Sequence, residues 1–82
     1  MKAEQNISTE ITIASLELKH LIADFNSGTH LLDVAFEIAK VYGRIQGILL
    51  ALHKINTTKH ELLAHAVADT MERATKTINN LF

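Results

Sequence analysis

Residues 31–55 read LLDVAFEIAKVYGRIQGILLALHKI, and this stretch decides the fold. Its apolar side chains recur every three or four residues over about seven turns, which is the pattern of one face of an α-helix. The first apolar row consists of Leu31, Val34, Ile38, Val41, Ile45, Ile48, Leu52 and Ile55. A second row lies beside it, made of Leu32, Ala35, Ala39, Tyr42 and Leu49, with Phe36 and Leu50 further round. A helix that is apolar around most of its circumference is normally covered on several sides, so we expect more cover than one neighbouring helix provides.

The segments on either side of this stretch predict two more helices. The first has an apolar seam of Ile11, Ala14, Leu18, Leu21 and Phe25, widened by Ile13, Leu16 and Ile22. The third has a seam of Ala64, Val67, Met71, Ala74, Ile78 and Leu81, with Leu63 alongside. Between the first two helices, Gly28 is expected to take a left-handed conformation, and Ser27 or Thr29 to cap the second helix. Before the third, Thr58 and Glu61 match a capping box.

These signals predict an all-α single domain over residues 1–82. The helices are expected at about 8–25, 30–55 and 59–79, with residues 1–6 frayed. Their connectors are short, which favours antiparallel neighbours and therefore a three-helix up-down-up bundle.

The composition indicates that the bundle assembles with a second copy. The chain has 82 residues, of which 48% are hydrophobic, and it contains no cysteine. A domain of this size gains only a marginal core and often relies on a disulfide, a metal or a partner chain. Disulfides are excluded here, so we expect a homodimer in a reducing, cytoplasmic compartment. The longest apolar run, residues 48–52, is far shorter than the ~20 residues that span a bilayer, and residues 1–5 do not resemble a signal peptide.

Two glycines in the middle of the second helix suggest where the copies meet. Each of Gly43 and Gly47 costs about 1 kcal/mol relative to alanine within a helix. Spaced four residues apart, they share one face and allow close approach of a helix from the same chain, a helix from a second chain, or a ligand or partner protein. Glycines without a role are the remaining interpretation. We predict an oligomer interface formed by Gly43, Gly47, Phe36 and Leu50.

Charge is distributed unevenly along the chain. Residues 1–37 carry a net charge of −4, and residues 38–60 carry +4 without a single acid. The four bases of the second segment, which we predict to form a partner-binding surface, are Lys40, Arg44, Lys54 and Lys59. Lys40 and Arg44 are like charges one helical turn apart and call for a negative group nearby. That group is expected on the first helix, on a second protomer, on an acidic partner protein or on a nucleic-acid phosphate.

Catalytic and metal-binding patterns receive no support from the residue spacing. Residues 60–65, HELLAH, resemble the zinc-protease pattern H-E-x-x-H, but the second histidine falls one residue too late to share a helix face with the first. The five histidines are interpreted as surface residues, and no metal, cofactor or catalytic group is predicted. The expected function is therefore that of a non-enzymatic interaction protein that homo-oligomerises and modulates another protein. The alternative is a small dimeric nucleic-acid-binding transcriptional regulator that uses Lys54, Lys59 and neighbouring residues of the third helix, since the second helix is too apolar to read a DNA groove.

Overall fold

The protein is built from three α-helices. The computed structural model describes residues 2–28 and 31–81, and within these residues it contains no strand. The helices are α1 (Lys2–Asn26), α2 (Leu31–Ile55) and α3 (Thr57–Leu81), each 25 residues long. The all-α class and the number of helices are confirmed. The capping role predicted for Thr29 lies outside the described residues.

The first helix begins earlier than its apolar seam predicted. We expected a start near residue 8, whereas α1 begins at Lys2. Residues 2–5 read KAEQ, and all four residue types favour helix, so the backbone continues as helix ahead of the first buried side chain. At the other end, Gly28 has φ +83°, the left-handed conformation predicted for it.

The third helix also begins earlier than predicted, because a different residue caps it. The Lys59 backbone N–H donates to Asn56 Oδ1 over 3.1 Å, which places Asn56 at the N-cap and Thr57 in the first turn. The predicted capping box with Thr58 as its first residue is therefore wrong. Asparagine ranks above threonine as an N-cap, so the signal was present in the sequence two residues upstream.

The core lies among the three helices, each of which contacts both of the others. Its buried side chains are Ile11, Ala14, Leu18, Ile22, Ile38, Val41, Ile45, Val67 and Ala74. Most predicted seam positions are therefore buried or half-buried. Ile13 and Leu16, expected to widen the seam of α1, are exposed, and so are Leu31 and Ile55 at the two ends of α2.

The molecule is elongated along its helices. A 25-residue helix is about 38 Å long, and the molecule measures 41 × 19 × 16 Å. Three helices of this length fit those dimensions only when they lie side by side along the long axis. Within the described residues, no helix combines the length and hydropathy that crossing a bilayer requires.

Candidate interaction surface

The two sides of α2 have different surroundings although both are apolar. The side that faces α1 and α3 is buried at Ala35, Ile38, Val41, Ile45 and Leu52. On the opposite side, six residues fall within about 60° of the helix circumference, at 100° per residue. One of them is Lys54, and the other five are apolar side chains or glycines. We call these five the outer stripe: Leu32, Phe36, Gly43, Gly47 and Leu50. All five are exposed.

The outer stripe holds much of the apolar surface that folding leaves uncovered. Among the described side chains, eight large hydrophobic residues are exposed, and three of them, Leu32, Phe36 and Leu50, belong to the outer stripe. Phe36 is 66% exposed and Leu50 is 64% exposed, which are high values for side chains of this size. Exposed apolar residues scattered singly need no explanation, but a row along one helix makes this side of α2 a candidate interaction surface.

The two glycines of the stripe are not required by packing within the chain. No atom of α1 or α3 lies within 4 Å of the position that a Cβ would take at Gly43 or Gly47. Close approach by a helix of the same chain, one of the predicted explanations, is therefore excluded among the described residues. The glycines instead form a flat section of open surface between Phe36 and Leu50.

Two separate depressions adjoin the stripe on the side of α3. At one end, Leu32 and Phe36 line a pocket of ≈ 120 Å³ together with Ile78. At the other end, Leu50 borders an open depression of ≈ 530 Å³ whose far wall includes Met71. The apolar surface is thus wider than one helix and includes part of α3, a contribution that no pattern in the sequence indicated.

The four predicted partner-binding bases do not form one continuous surface. The Arg44 guanidinium donates to Glu17 Oε2 on α1 over 2.6 Å, so the negative group called for beside Arg44 comes from the first helix. Lys59 is half-buried in the first turn of α3. Lys40 and Lys54 are exposed on the same side of α2 as the outer stripe, and neither forms an ion pair with any described residue. The structure thus places these two lysines, and not Arg44 or Lys59, beside the predicted oligomer interface.

Among the described histidines, one differs from the predicted surface position, and the prediction for His30 lies outside the described residues. His53 and His60 meet edge to face across the turn between α2 and α3, with ring centroids 4.9 Å apart. His60 is half-buried, and its Nδ1 is buried without a hydrogen-bond partner, so it is not a surface histidine. The sequence signal for this contact was the single residue, Asn56, that separates the two helices. Among the described residues, no three metal-ligating side chains cluster closely enough to hold an ion.

Comparison with protein-family models, with curated proteins and with solved structures found no match for this chain. The outer stripe is therefore interpreted from its own geometry and chemistry.

Proposed function

We propose that this protein is a non-enzymatic helical interaction protein that forms a homodimer through the outer stripe of α2 and modulates another protein. One observation carries the proposal: α2 keeps an exposed apolar row after folding, and the glycines within that row face open space. Each glycine costs about 1 kcal/mol in a helix, so a surface that retains two of them is best explained by close approach of another helix.

The proposed monomer is an up-down-up bundle. Residues 27–30 connect α1 to α2, and Asn56 alone connects α2 to α3. Helices about 38 Å long that lie side by side and are joined by such short connectors must reverse direction at each connector. Both termini of α2 are then held by neighbouring helices, and its outer side remains available to a second copy.

The proposed target is a protein with an acidic surface, and Lys40 is the main polar contact. Lys40 lies at the edge of the outer stripe, is exposed and has no ion pair among the described residues. Because the second copy covers the outer stripe, the target is proposed to meet Lys40 at the charged rim of the dimer, where an acidic side chain can pair with it. The lack of cysteine in the sequence fits a cytoplasmic location, which forms part of the proposal.

Light scattering of two matched leucine variants tests the self-association. Leu50 on the stripe and Leu62 on the outer side of α3 are 64% and 67% exposed, so they differ in position rather than in exposure. We expect Leu50→Gln to raise the dimer dissociation constant about 100-fold, since each of two copies would lose ~1.5 kcal/mol of apolar burial. Leu62→Gln is expected to leave it unchanged. A wild-type protein that is monomeric at micromolar concentration contradicts the proposal.

Co-purification from the native host, followed by mass spectrometry, tests the second half of the proposal. Lys40→Glu is expected to reduce recovery of the bound protein, because the charge reversal repels an acidic surface. Lys19→Glu provides the control, since Lys19 is also an exposed lysine but lies on α1. If both variants recover the same amount of the bound protein, Lys40 does not take part in the proposed contact.

The nucleic-acid alternative draws less support from the geometry. Arg44 forms an ion pair with Glu17, and Lys59 is half-buried at the start of α3. This leaves few bases for phosphate contacts, on which nucleic-acid affinity chiefly depends. A gel shift at low salt distinguishes the alternatives, because salt-sensitive binding to DNA or RNA would favour the regulator.

A further inference from the structure

The outer stripe has a centre about which it is nearly symmetric. Phe36 precedes Gly43 by seven residues, and Leu50 follows it by seven residues. A seven-residue spacing keeps side chains on one face over successive helical turns. A two-fold axis through Gly43 would therefore set Phe36 of one copy opposite Leu50 of the other, twice, with the two Gly43 backbones in contact between them.

The charges along α2 favour the same antiparallel arrangement. Asp33 and Glu37 lie towards the start of the helix, and Lys54 lies near its end. Asp33 is ten residues before Gly43 and Lys54 is eleven residues after it, so an antiparallel pair brings each Asp33 close to the other copy's Lys54. A parallel pair would instead set like charges side by side, which is unfavourable.

The size of the surface suits a stable dimer. The side of the molecule that carries the stripe is 41 Å long and 16–19 Å wide. Its projected area of roughly 700 Å² is an upper bound, which approaches the ~800 Å² that each partner buries in a standard interface when the flanking surface of α3 is covered as well. Helices with glycine at the crossing point approach more closely than others, so the flanking apolar surface on α3 can also be covered.

We propose that a second copy of this chain packs antiparallel on α2, with the two helices crossing at Gly43 and Phe36 of each copy against Leu50 of the other. The proposal rests on the self-association proposed above and specifies its orientation and register. It makes Gly43 the position of closest backbone approach and places Leu32 of each copy opposite Lys54 of the other.

Disulfide trapping tests this register, and the chain suits the method because it has no native cysteine. The variants Leu32→Cys and Lys54→Cys are made in chains of different mass and mixed in a thiol–disulfide buffer. Positions 32 and 54 are separated by about 33 Å within one helix, so in an antiparallel pair neither cysteine can reach its own equivalent. We expect about ten-fold more mixed disulfide than self-disulfide, because a disulfide requires Cα atoms within about 7 Å of each other.

Three other outcomes would overturn the proposal in distinguishable ways. Efficient self-disulfides of Leu32→Cys and of Lys54→Cys would indicate a parallel pair. A mixed yield no higher than that of Ala23→Cys with Lys54→Cys, in a protein that light scattering shows to be dimeric, would place the second copy elsewhere and leave self-association intact. Ala23 is an exposed α1 residue and serves as the control. A monomer by light scattering would remove both proposals together.

Discussion

Leu50 and Leu52 lie two residues apart on α2 and have opposite environments. Leu52 is fully buried between the helices, whereas Leu50 is 64% exposed on the outer stripe. Both belong to the same apolar stretch, but the helical period places Leu52 in its first apolar row and Leu50 further round the helix. The difference shows that α2 has two apolar sides, of which one is buried by the fold and the other stays exposed.

The largest expected effect comes from truncating the buried member of this pair. Leu52→Ala should reduce the free energy of unfolding by about 2–5 kcal/mol, because it removes buried apolar surface and leaves a cavity. Leu50→Ala should reduce it by no more than about 0.5 kcal/mol in dilute solution, as is usual for surface positions. Urea denaturation monitored by circular dichroism measures both values.

Concentration is the control for this comparison. Above the dimer dissociation constant, Leu50→Ala should become more destabilising, because association adds to the stability of the folded state. In a solution dilute enough for the protein to be monomeric, the two variants should lower the free energy of unfolding by different amounts. An equal loss for Leu50→Ala and Leu52→Ala would contradict the difference between the two sides of α2.

The helices themselves could be predicted from the sequence because burial imposes a period. Ile38, Val41 and Ile45 recur at helical spacing, and all three are buried. The predicted ends of the helices were less accurate where no apolar residue marks them. The start of α1 depends on the helix propensity of residues 2–5, and the start of α3 on the side chain of Asn56, and neither contributes to an apolar pattern.

The candidate surface could be predicted only in part. The sequence suggested Gly43 and Gly47 as positions of close approach, but only the positions of α1 and α3 show that no helix of the same chain covers them. Similarly, the bases of residues 38–60 are a local feature, whereas the pairing of Arg44 with Glu17 joins residues 27 positions apart. Which side of an apolar helix is covered depends on such long-range contacts, and a local pattern does not contain them.

A glycine substitution of intermediate effect should act in opposite directions on folding and on association. Gly43→Ala is expected to stabilise the monomer by about 0.5–1 kcal/mol, because alanine favours helix and its methyl group meets no neighbouring helix. The same methyl group would lie at the proposed crossing and should weaken the dimer. Denaturation in dilute solution and light scattering over a dilution series measure the two effects.

Gly47→Ala is the matched control for this prediction. It should stabilise the monomer by the same amount, since its surroundings within the chain are equally open. Its effect on the dimer should be smaller, because Gly47 lies one helical turn away from the proposed crossing. Equal weakening by both variants, or a stronger dimer with Gly43→Ala, would contradict a crossing at Gly43.

The smallest expected effect concerns Arg44, which lies at the border between the two sides of α2. Its guanidinium is 52% exposed and Glu17 is 47% exposed, so solvent screens their ion pair. A double-mutant cycle with Arg44→Ala and Glu17→Ala should give a coupling energy of about 0.2–1 kcal/mol, decreasing with added salt. Arg44→Ala should leave the dimer dissociation constant unchanged, because its partner is on α1. A variant that instead weakened the dimer as much as Leu50→Gln would assign Arg44 to the outer side of α2 and shift the border of the interaction surface towards α1.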